Sequence, residues 1–99
     1  MKTTLSIDSN IPLKVFRAYP FKLFLLTQTE NDWDDTHDSC LVCASSPEDA
    51  KSITPENLVF VENETKRWAF TKAGITCTEI GTANENQVRG CLIASFNAG

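Results

Sequence analysis

Residues 21–28 read FKLFLLTQ and residues 39–44 read SCLVCA, with ten polar residues, TENDWDDTHD, between them. The first run is nearly all apolar. A strand covered on both faces reads this way, so residues 21–28 are expected to form a central strand. The second run is apolar with a β-branched residue in its middle, and it reads as a second strand. A helix start follows at once, in Ser45-Ser46-Pro47-Glu48-Asp49. Ser46 can cap the first turn, Pro47 suits the first helical position, and Glu48 and Asp49 face the positive end of the helix dipole. The helix is expected to reach about Ile53 and to stop before Pro55, with Ala50 and Ile53 on its core side.

Working outward, Thr3 to Ile7 reads as a short strand, Asn10-Ile11-Pro12 as a break, and Pro20 closes the segment. Residues 1–21 are therefore read as an N-terminal arm and 22–99 as the core of a single domain. Downstream, Leu58 to Val61 is either a strand or an irregular packed segment. Residues 62–74 are polar around Trp68 and Phe70. Ile75 to Ile80 alternates as a strand, Asn84 to Gln87 is a turn, and Cys91 to Phe96 is the last strand. One short helix cannot cover both faces of a parallel sheet, and short turns favour antiparallel neighbours. The expected class is α+β: a mostly antiparallel sheet of four to five strands with one helix on one face.

Composition bounds the function. Hydrophobic residues make up 41% and charged residues 22% of the chain, which excludes a disordered or collagen-like polymer. No apolar run is longer than five residues, Cys40 to Ala44, and Leu23 to Leu26 is four. A bilayer span needs about 20, and no apolar stretch of a leader follows Lys2. A soluble, cytoplasmic protein with no membrane partner is expected. Its cysteines, Cys40, Cys43, Cys77 and Cys91, should then be reduced thiols. Cys40 and Cys43 form C-x-x-C, but inside a strand side chains three apart point to opposite faces. They are read as buried structural thiols, not as a zinc knuckle or a redox motif. No metal and no cofactor are expected.

The net charge of −4 disfavours a domain that grips nucleic acid through its overall field. The charge is unevenly spread. Residues 1–28 carry +3, residues 29–64 carry −9 and residues 65–99 carry +2. Five acids, Glu30, Asp32, Asp34, Asp35 and Asp38, fall within nine residues around Trp33. Three readings compete for this loop. It is a solvated connection, a docking surface for a basic partner, or a hard-cation site. The spacing lacks the alternating oxygens and central glycine of an EF-hand. A hairpin connection is usually two to five residues, and long loops often carry function. An aromatic anchor ringed by charge suits contact with a protein.

His37 reads as an exposed loop histidine. A Cys–His pair with Cys40 or Cys43 would require spatial contact that sequence does not show. No Gly-rich phosphate loop, G-x-S-x-G or H-E-x-x-H is present, so no catalytic residues are assigned and a non-enzyme is expected. A second candidate surface is the cationic set Lys66, Arg67, Lys72 and Arg89 with Trp68. It could hold a small anion such as a nucleotide signal, with Trp68 stacking a base. The preferred reading of Trp68 is a core residue. The polar ending Asn97-Ala98-Gly99 is either a frayed terminus or, with Phe96 pinned in the sheet, a tail held near a sheet edge. A sheet with exposed edges can also pair across a two-fold axis into a homodimer, though nothing in the sequence demands it.

Several stretches together resemble a family of small proteins encoded by phages and prophages. These are Leu25-Leu26-Thr27-Gln28, the loop Asp34-Asp35-Thr36-His37-Asp38-Ser39, the run Leu41 to Ala50, and the ending Gly90-Cys91-Leu92-Ile93-Ala94-Ser95-Phe96-Asn97-Ala98-Gly99. The match covers residues 22–99, and residues 1–21 look like an extension that the family usually lacks. The resemblance implies a small accessory protein of the kind that often inhibits host machinery, including anti-CRISPR and other anti-defence proteins. On that reading, the partner is a host protein with a basic surface, such as a nucleic-acid-binding defence protein. The small-ligand sponge is the alternative.

Overall fold

The computed structural model describes residues 21–97. The expected N-terminal strand at Thr3 to Ile7 and the last two residues, Ala98 and Gly99, lie outside them. Four strands are described: β1 (Lys22–Gln28), β2 (Ser39–Ala44), β3 (Ile75–Thr82) and β4 (Gly90–Ala94). A short helix, α1 (Pro47–Lys51), follows β2, and a 3-10 turn (Lys72–Gly74) precedes β3. The strands form one sheet in the order β3-β1-β2-β4, with every neighbour antiparallel. The apolar run in β1 is therefore central, as its composition requires.

Period-two alternation sets the two faces of the sheet. Phe24 and Leu26 of β1, Cys40, Val42 and Ala44 of β2, and Ile75 of β3 are buried in one cluster. Cys77, Cys91 and Ala94 pack against it from the two edge strands. Ala50 of α1 closes over this face with Ile53, Phe60, Trp68 and Ala69 from the segment that follows. Trp68 is thus a core residue, 2% exposed. The opposite face is also apolar: Leu25 stands across from Leu41, and Leu41 across from Ile93. Leu25 and Ile93 are exposed there, so β1 is less completely covered than its composition suggests.

Ser46 caps α1 as its sequence requires, its Oγ accepting from the Asp49 amide at 3.1 Å, with Pro47 in the first turn. The helix ends at Lys51, earlier than expected, because Ile53 leaves it to bridge Val59. That bridge is the only regular structure in Leu58 to Val61, which is otherwise irregular. β4 stops at Ala94, two residues short of Phe96. Cys40 and Cys43 point to opposite faces, and both are buried. Gly90 has φ 144°, and a Cβ there would meet Asn57 Oδ1 at 2.9 Å. That oxygen accepts from the Cys91 amide, so glycine is what lets β4 begin against Asn57.

The segment from Ala83 to Arg89 crosses from one edge of the sheet to the other, past the helix. Arg89 fastens it: Nη2 lies 2.7 Å from Asp49 Oδ1, and Nε donates to both Asp49 oxygens. This guanidinium holds the Asp49 carboxyl down at about 2. A carboxylate with a depressed native pKa stabilises the fold above its unfolded value of about 3.9, and that contribution fades as the native group protonates. Asp49→Asn is expected to cost about 1 kcal/mol at pH 7 once solvent screening is allowed for. The gap between the two proteins in chemical denaturation should close as pH falls from about 5 to about 2.

Candidate functional site

The 29–38 loop leaves β1 at Gln28 and enters β2 at Ser39, at the end of the sheet opposite the Asp49–Arg89 pair. Gln28 continues the inward phase of Phe24 and Leu26, so a polar side chain stands at a core position. Buried amides must find partners. Gln28 Nε2 donates to the carbonyls of Asn31 and His37, both at 2.8 Å, and its Oε1 accepts from the Asn31 amide at 2.9 Å. Asn31 is itself buried. Its Nδ2 donates to Lys66 O at 3.0 Å and Trp68 O at 3.1 Å. Two side chains thus tie both ends of the loop together and tie the loop to the 66–68 segment.

The rest of the loop is fixed by main-chain contacts. His37 N donates to Arg67 O at 2.9 Å. Thr36 bridges Asn97, and the Asp35 amide donates to Asn97 O at 2.6 Å. Asp35 reaches it from a left-handed backbone, φ 62°, a conformation that aspartate tolerates better than most residues. Thr36 Oγ1 donates to Trp33 O at 2.6 Å. The indole of Trp33 is left 75% exposed between Asp32, Asp34 and Asp35, which are also exposed. Asn97 is therefore tied into the fold, and Phe96 packs against His37 instead of joining the sheet.

Not every acid of the cluster is free of contacts within the fold. Glu30 accepts from the amides of Phe70 and Thr71, both at 3.0 Å, and from Thr71 Oγ1 at 2.8 Å. These donors pull its carboxyl below the ordinary value, with the Thr71 amide first among them. Its carboxylate also sits where a side chain on Gly74 would stand, so Glu30 anchors the loop to the turn before β3. Asp38 is exposed but accepts from Asn97 Nδ2 at 2.7 Å. Asp32, Asp34 and Asp35 make no side-chain hydrogen bond or ion pair among the described residues.

His37 is buried, not exposed as its loop position suggests. Its Nδ1 lies against the Ser95 carbonyl, which only accepts, so Nδ1 carries the hydrogen. Nε2 stands 3.9 Å from Glu56 Oε2, an oxygen that Arg67 Nη1 approaches to 3.2 Å. Neither Cys40 nor Cys43 is a partner of this ring, and burial pushes both thiols up. Among the described residues, no three His, Cys, Asp or Glu side chains gather into a group that could hold a metal ion.

The five residues of the cationic set do not converge. Lys66, Arg67 and Trp68 border a cavity beside His37 and Glu56. Lys72 Nζ lies 5.9 Å from the centre of the Phe60 ring, and Arg89 is paired with Asp49 at the other end of the sheet. No family model, curated protein or solved structure matches the chain. Among the described residues, no helix is long and apolar enough to cross a membrane.

The Gln28–Asn31 pair has a measurable consequence. Asn31→Ala removes a donor from the carbonyls of Lys66 and Trp68, of which Trp68 O keeps Thr65 Oγ1 at 3.3 Å, and is expected to cost about 1 kcal/mol in urea denaturation. Asp34→Asn, on the exposed rim of the same loop, should leave the midpoint unchanged.

Proposed function

We propose that the protein is a non-enzymatic binding module that docks on a basic protein surface through Trp33 and the carboxylates of Asp32, Asp34 and Asp35. The observation that carries this reading is the exposure of Trp33 on a loop hydrogen-bonded to the fold on both sides. Binding hot spots favour large aromatic anchors, and an anchor held in place before contact loses less freedom on docking. The three acids beside it carry the long-range attraction that speeds encounter with a cationic partner.

The partner class is a host protein whose basic surface receives nucleic acid, in keeping with the resemblance to phage-borne accessory proteins. On such a surface the carboxylates stand in for phosphates, and the module acts as an inhibitor by occupancy. The raised thiols and the absence of any cysteine contact to His37 weigh against a nucleophilic enzyme.

Immobilised protein is incubated with bacterial host lysate at low and moderate salt. A basic protein should be retained at low salt and lost with Trp33→Ala, whose thermal midpoint should match the parent. For the isolated pair, replacing Asp32, Asp34 and Asp35 with Asn should slow association and flatten its salt dependence, with a smaller effect on dissociation. Retention that survives Trp33→Ala, or no retention at all, would reduce the loop to a solvated connection.

A further inference from the structure

The described residues hold one α-helix, and it lies on the inner face of the sheet with Ile53, Phe60, Trp68 and Ala69. Among them the outer face has no second layer. The register sorts that face into rows running across the strands. Nearest the start of β1 the row reads Gly81, Leu23, Cys43, Gly90. The next reads Thr78, Leu25, Leu41, Ile93. The third, beside the 29–38 loop, reads Thr76, Thr27, Ser39. The face is thus apolar where β1 begins and polar where β1 ends. Leu25 is 38% and Ile93 66% exposed, and a Cβ on Gly81 would meet no atom within 4 Å. An antiparallel strand with one wet face alternates polar with apolar residues. The unbroken run Leu23 to Leu26 is instead what a strand covered on both faces requires.

We propose that residues 11–19 of the same chain, IPLKVFRAY, supply this cover by docking on the apolar rows of the outer face. They lead into Phe21, whose carbonyl accepts from the Ala83 amide beside the Leu23 row. A segment joined to the sheet at its apolar end acts there at high effective concentration. Nine extended residues reach about 30 Å, and four strands span about 15 Å, so the segment can cross the whole face. Laid extended, it carries Ile11, Leu13 and Val15 on one side and Lys14 on the other. Leu13 and Val15 then meet Leu25, Leu41 and Ile93. Charge favours the same occupant. Residues 1–20 carry three bases and one acid, a net +2, whereas residues 21–99 carry six bases and twelve acids, a net −6. A second copy of the chain would bring a like net charge of −4 to the face. The Trp33 loop lies at the polar end of the sheet, so this cover is independent of the docking proposal.

The test uses the full chain with ¹³C-labelled methyl groups and a soluble, neutral gadolinium chelate. The methyls of Leu25 and Ile93 should be attenuated much less than those of Val88, which is 77% exposed in the crossing segment. They should also show nuclear Overhauser contacts to the methyls of Leu13 and Val15, arising within one chain in a mixed-label sample. Leu13→Asp should raise the attenuation of Ile93 to that of Val88, while Lys14→Gln, on the other side of the segment, should not. Ile53, buried in the inner core, should stay protected in every variant and reports that the fold is intact. The proposal fails if Ile93 in the parent protein is attenuated as strongly as Val88. It fails equally if Leu13→Asp changes no more than Lys14→Gln does, or if the contacts to Ile93 come from a second chain.

Discussion

The buried amide pair Gln28 and Asn31 is the constraint on which the 29–38 loop and the segment beside it depend. β1 delivers Gln28 into the core phase, where an unsatisfied amide would cost more than the strand gains from its burial. The chain resolves this locally: both Gln28 donors close on the loop, and Asn31 passes the connection on to Lys66 and Trp68. The same bonds that satisfy two buried side chains therefore fix a ten-residue connection and the wall of a cavity. Loops of this length are ordinarily among the more mobile parts of a domain. Here Glu30, Thr36 and Asn97 extend the restraint from the base of the loop to its tip.

Where a local rule governs, the residues were readable in advance. The apolar, β-branched run of β2, the alternation of β3, the near-continuous apolar run of β1 and the Ser46-Pro47 start of α1 each follow from a short-range preference, and a mostly antiparallel sheet of four to five strands was expected from them where four are described. What was not readable is long-range. His37 is flanked by polar residues and looks exposed, yet Ser95 and Phe96, far along the chain, supply its partner and its cover. Glu30 belongs to an acidic run by sequence and to the turn before β3 by contact. The cationic set looked like one surface because its members lie in the same third of the chain, but the sheet order separates Arg89 from Lys66 and Arg67. One signal was present and unused: Gln28 sits two residues beyond Leu26, on the inward phase of the strand.

The two ends of the sheet do different work. At one, the Asp49–Arg89 pair and the Gly90 approach to Asn57 hold a crossing segment against the helix. At the other, the fold places Trp33 in water on one side of the 66–68 segment and leaves the Trp68 N–H without a partner in the core behind it. The 29–38 loop hydrogen-bonds through His37 and Asn31 to the backbone of Lys66 to Trp68, a segment that also borders the cavity.

The central claim is that the Trp33 loop is ordered before any partner arrives. The most direct measurement is the backbone ¹⁵N order parameter of residues 32–36 in the free protein. Values near about 0.85, matching β1 and β2, are expected of a rigid backbone, with a fall confined to the loop in Asn31→Ala. Values below about 0.6 across Trp33 in the parent protein would mean a flexible connection, and the account of a pre-formed docking surface would be contradicted.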